Sequence, residues 1–139
     1  MTRPARALGV ALLLVSCACA EGVVGIAGAW ARPTSSGPTA AYLSIHNGTR
    51  RAVRLTRARS ACCATIELHR TTIRDDRMSM APASEGVVIE SGATLTLEPG
   101  GHHLMLFEPH EPLRHGMRFE LTLEFESGAE ASVEVEVRR

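Results

Sequence analysis

From Met117 onward the chain alternates between apolar and polar positions. Met117, Phe119, Leu121, Leu123 and Phe125 are apolar, with Arg118, Glu120, Thr122 and Glu124 between them. Successive side chains of a strand point to opposite faces, so this segment predicts a strand with one face in a core and one in water. Ala131, Val133, Val135 and Val137 repeat the pattern against Ser132, Glu134 and Glu136. Ser127-Gly128 between the two runs predicts a hairpin tip. Shorter strands are expected over residues 23–30, 42–46, 52–57, 65–71, 87–90, 94–97 and 102–107. Asn47-Gly48 is a turn signal between the second and third of these. Residues 32–38 and 98–101 carry the Pro, Gly and Ser of loops. No helical period appears outside the first twenty residues. Many short strands with Gly/Pro turns predict an all-β, two-sheet sandwich in a single domain.

The start of the chain has a different character. Arg3 and Arg6 precede an apolar stretch from Ala7 to Val15. That stretch is too short to cross a bilayer, which takes about 20 apolar residues. Residues 1–20 therefore read as a signal peptide, and residues 21–139 as the mature domain. Ala18-Cys19-Ala20 offers a cleavage site that leaves a soluble chain from Glu21. Leu14-Val15-Ser16-Cys17 resembles a bacterial lipobox, which would put a lipid anchor on Cys17. Either reading places the domain in the periplasm or elsewhere outside the cytoplasm, with no membrane span and as a monomer. The formal net charge is zero, which gives no reason to expect a nucleic-acid partner. Beyond the signal only Cys62 and Cys63 remain of the four cysteines. Neighbouring cysteines rarely bridge each other, so no disulfide scaffold is expected.

Candidate chemistry sits on three segments. In residues 102–106, Leu104 and Leu106 mark the core face, so His103 and Met105 project from the other, with Cα atoms about 7 Å apart. In residues 65–69, Ile66 and Leu68 take the core side and His69 the opposite one. In Arg77-Met78-Ser79-Met80 the two Met share a face in a polar neighbourhood. Taken singly, each of these is ordinary: a solvated histidine, a packing methionine. Together they make two imidazoles and two or three thioethers where the core needs none of them. Thioether sulfur is a soft ligand that selects Cu(I). Zinc prefers thiolate, imidazole or carboxylate, and hard cations need oxygen. A site without thiolate can hold Cu(I) and still release it.

These residues also form a longer pattern. Glu67-Leu68-His69, ten further residues, Met80, and then Pro99-Gly100-Gly101-x-His103-Leu104-Met105-Leu106 resembles the periplasmic copper(I) chaperones of the PCu(A)C family. The gap from Met80 to His103 holds 22 residues (Ala81 to His102), one more than the family's common spacing. The early Ala29-Trp30-Ala31-Arg32-Pro33, Ala41-Tyr42-Leu43 with Asn47, and Leu121–Phe125 with Gly128 fit the same family. The resemblance implies a cupredoxin-like Greek-key β-sandwich and Cu(I) ligation by His69, Met80, His103 and Met105. It further implies delivery of copper to cytochrome c oxidase or a related exported acceptor.

Several residues depart from that pattern. His102 stands where the family commonly has an aromatic residue, and alternation turns it toward the core as a partly buried histidine. Cys62 and Cys63 precede His69 without an assigned role. Met78 is an alternative to Met80. His46, His110 and His115 fall near loops or strand ends and are expected in solvent. Two other functions compete. A metal-free binding or structural sandwich would take no copper. A blue-copper electron carrier needs a thiolate beside two His, and no Cys lies near His103-x-Met105. No nucleophile–base spacing, Gly-rich phosphate loop or paired carboxylate motif is present, so an enzyme is not expected.

Overall fold

The structure is a computed structural model that describes residues 22–139. The expected signal peptide (residues 1–20) and its two cleavage readings lie outside the described residues. Ten strands follow one another: β1 (Val24–Ala31), β2 (Thr39–Asn47), β3 (Val53–Arg59), β4 (Cys63–Arg74), β5 (Arg77–Pro82), β6 (Val87–Ile89), β7 (Thr94–Leu97), β8 (His102–Pro109), β9 (Arg118–Phe125) and β10 (Glu130–Val137). No helix occurs among the described residues.

The strands form one wound sheet in the order β5-β4-β8-β2-β1-β10-β9-β3-β6, with β7 added beside β2. β3 also meets β4 at Ala58 and Ile66, which closes the sheet on itself. The two layers of the expected sandwich are therefore halves of one continuous sheet. Every pairing is antiparallel except β1 with β10, where Trp30 pairs Glu136 and Ala31 pairs Val137. The alternation seen in sequence fills the interior. Leu55, Leu104, Leu106, Leu121, Leu123 and Val135 are all buried. Each such side chain contributes about 1.5–3 kcal/mol by leaving water.

The β9–β10 hairpin turns at Ser127-Gly128 as expected, with Gly128 at φ 88°. Asn47-Gly48 behaves differently. β2 and β3 do not pair, so residues 48–52 cross between layers. Asn47 is fully buried and anchors this crossing. Its Nδ2 donates to the carbonyls of Arg51 (2.8 Å) and Ile89 (2.9 Å). Its Oδ1 accepts from the Thr49 amide (3.0 Å) and hydroxyl (2.6 Å). Gly48 is needed because a Cβ there would lie 2.7 Å from the Val23 carbonyl oxygen.

β4 runs longer than the alternation implies, and β5 carried no strand signal. All six residues of β5 are exposed, so no buried face imposes a period on it. The tip between them is Asp75-Asp76, both with positive φ (49° and 58°). That is the backbone of a two-residue hairpin whose twist matches the flanking strands.

Candidate metal centre

β8 is central to the site because it lies between β4 and β2. Leu104 and Leu106 enter the core, as the alternation requires. His103 and Met105 therefore sit on the opposite face. On β4 the register sets His69 directly across from His103, and Glu67 across from Met105. On β5, Met80 is opposite Thr71 and Met78 is opposite Ile73. Thr71 and Ile73 share the face of His69, being two and four residues beyond it. One surface of three adjacent strands thus carries both histidines and three of the methionines.

That surface is off the hydrophobic core, yet its histidines are not solvated. His103 is only 3% exposed and His69 only 8%. The loops around Pro33–Pro38 and Pro99–Gly100 wall a cavity of about 420 Å³ over β8. His103, Met105, Met80, Met78, Thr71 and Tyr42 line it. His69 is not on this wall. It lies beside His103, with ring centroids 5.7 Å apart, and against Phe107 at 5.9 Å.

The hydrogen bonds fix one nitrogen of each ring and leave the other bare. His103 Nδ1 lies 3.2 Å from the Gly101 carbonyl. A carbonyl only accepts, so Nδ1 carries the proton and Nε2 keeps its lone pair. His69 Nε2 lies 2.8 Å from a Glu67 carboxylate oxygen, so that nitrogen donates and Nδ1 keeps its lone pair. His103 Nε2, His69 Nδ1 and Thr71 Oγ1 are buried without a partner. A buried polar atom left unpaired costs about 1–3 kcal/mol. Three within one patch mark a place built to receive something. A metal-binding histidine commonly donates its other N–H to a carboxylate or a backbone carbonyl. Both arrangements are present here, one on each ring.

The donor set narrows what the patch can hold. Among the described residues no three His, Cys, Asp or Glu gather closely enough for a metal. Beyond the two imidazoles, the soft donors on this surface are the thioethers of Met78, Met80 and Met105. Met80 is 52% exposed and Met78 is 61% exposed, so neither is held by packing. Cys63 pairs with Pro109 at the far end of the β4–β8 ladder from His69 and His103. It stands six positions before His69, roughly 20 Å at the usual rise. A blue-copper thiolate is thus absent from this patch.

The remaining candidates fall elsewhere. Cys62 and Cys63 are both free. A hydrogen bond from Cys63 draws the Cys62 thiol down from 9.0 to about 7, against the effect of burial. The same contact, with burial, pushes Cys63 up. His102 is half-buried and opposite Arg70. Burial first, then the charge of Arg70, holds it below the ordinary histidine value. His46, His110 and His115 are exposed. Glu67 and Gly101 belong to the pattern quoted from the sequence, but neither was given a role there. Glu67 was findable, since it precedes His69 by two and shares its strand face. Gly101 was not, because only the fold brings that carbonyl to the ring.

The closed, all-β barrel is the fold of PCuAC domains. Solved structures share the fold. The copper-bound PCuAC domain from PmoF2 superposes with a TM-score of 0.66 at 24% identity, over 85% of this chain and 97% of that one. The Cu(I) form of DR1885 from Deinococcus radiodurans gives 0.63 at 26% identity, over 87% of this chain and 83% of that one. The chain belongs to the LpqE-like family, described as "Putative lipoprotein LpqE-like", which matches residues 24–137. It is 34% identical over 119 residues to "Putative lipoprotein Lxx21020" of Leifsonia xyli subsp. xyli, covering 86% of this chain and 71% of that one. It is 27% identical over 123 residues to "Uncharacterized protein RP573" of Rickettsia prowazekii, covering 85% and 68%.

Proposed function

We propose that this protein is an exported copper chaperone that carries Cu(I) and catalyses nothing. His69, Met80, His103 and Met105 hold the ion, which is cargo and not a resident cofactor. The observation that carries this reading is the pair of bare, buried imidazole nitrogens beside exposed thioethers. All four ligands are neutral. The Glu67 carboxylate behind His69 sets a negative charge near the single positive charge of Cu(I). Soft neutral ligands suit Cu(I) and grip it less than thiolate would. An acceptor bearing thiolates can therefore take the ion by ligand exchange, with no change of oxidation state.

The exposed thioethers support the same direction of transfer, since they are what an arriving partner meets first. The acceptor is cytochrome c oxidase or a related exported copper protein, and the chaperone works in the periplasm or tethered through Cys17. Relatives described as lipoproteins favour an extracytoplasmic place. The test is competition for Cu(I) against bathocuproine disulfonate under anaerobic, reducing conditions. The native chain is expected to bind one Cu(I), and the double variant His103→Ala/Met105→Ala to lose tight binding. Unchanged affinity in that variant would reject the reading.

A further inference from the structure

Met78 has no part in the four-ligand site, yet it lines the same cavity as Met80, Met105 and His103. It stands two residues before Met80 on one strand, so both side chains share a face with Cα atoms about 7 Å apart. Flexible thioethers at that spacing can meet on one ion. β5 is the outermost strand at its end of the sheet. The core therefore supplies no reason for either methionine. Exposure falls along the patch, from 61% at Met78 through 52% at Met80 to 3% at His103. The donors also harden inward, from thioether alone to imidazole.

We propose that Met78 and Met80 form an outer, two-thioether position at the mouth of the cavity, where a soft monovalent ion lands and from which it departs. This rests on the carrier reading and deepens it. On entry the ion is held by the sulfurs of Met78 and Met80. The bond to Met78 breaks as bonds to His103 Nε2, His69 Nδ1 and Met105 form, while Met80 stays attached. The ion remains monovalent and no electron moves. Departure reverses the order, so a partner's ligand replaces Met78 or Met80 before it need reach the buried rings.

The full chain with ¹³C-methyl methionine tests this by NMR, titrated with Ag(I) as a redox-inert probe. In a Cys62→Ser/Cys63→Ser background, which removes the competing thiols, the Met78 methyl is expected to shift, chiefly beyond the first equivalent, while Met117, which does not line this cavity, stays still. Stopped-flow loading from the bathocuproine disulfonate complex of Cu(I) supplies the second readout. Met78→Leu keeps size and strand exposure. Its loading rate is expected to fall tenfold or more, with affinity falling less than threefold. A Met78 methyl unmoved by Ag(I) would overturn the outer position. So would a loading rate that drops no more than affinity does. Those results leave the inner site standing if Cu(I) still binds and His103→Ala still releases it. Failure of the native chain to take up any Cu(I) or Ag(I) would instead remove the carrier reading itself.

Discussion

Replacing Glu67 separates orientation of a ligand from stability of the fold. Its carboxylate accepts from His69 Nε2 at 2.8 Å, which leaves Nδ1 as the bare nitrogen. In Glu67→Ala the ring loses that acceptor. Nothing then selects the tautomer with a lone pair on Nδ1, and the ring is free to turn. Loss of such an outer partner typically costs 10–100-fold in metal affinity, about 1.4–2.8 kcal/mol. The fold should scarcely notice. The Glu67 side chain is 45% exposed, and ion pairs open to solvent contribute about 0–1 kcal/mol. Glu67→Gln keeps an acceptor oxygen while removing the charge, so its loss should fall between native and Ala. Anaerobic competition for Cu(I) gives the affinity, and urea unfolding of the copper-free chain gives the stability. Glu67→Ala with affinity within twofold of native would refute the tautomer argument. Equal losses in Gln and Ala would instead assign the whole effect to charge.

Three further outcomes follow from the same geometry. A proton and Cu(I) compete for the same imidazole nitrogen, so affinity should fall as pH drops from 8 to 5. Constant affinity from pH 8 to 5 would exclude histidine ligation. Asn47→Ala removes four hydrogen bonds and strands the buried Ile89 carbonyl, at a cost of about 2–4 kcal/mol. Urea unfolding checks it, and a loss below 1 kcal/mol would mean that the crossing does not depend on that amide. The lowered Cys62 thiol should react with iodoacetamide at a rate half-maximal near pH 7, with Cys63 inert. Cys63→Ala should move that midpoint upward, and an unmoved midpoint would assign the shift to something other than its neighbour.

Periodicity by itself determined the strands that own a core face. Residues 117–137 could be read as a hairpin because a half-buried strand must alternate. Leu104 and Leu106 likewise told which side His103 and Met105 would take. β5 was invisible for the converse reason, since both its faces meet solvent and no period is imposed. Asn47-Gly48 carried a turn signal, but the strands it joins find different neighbours, and local chemistry cannot specify a partner distant in the chain.

The candidate ligands were legible as residue types on particular strand faces. Their company was not. Register across β4 and β8 sets His69 against His103, and a slip of one residue would have sent one of them into the core. Loops wrap the outer face and bury imidazoles that alternation alone would have left in water. Gly101 and Glu67 each claim one ring nitrogen and leave the other bare. Those choices depend on contacts between segments far apart in the chain, so only the tertiary structure could decide which atoms stand open to an ion.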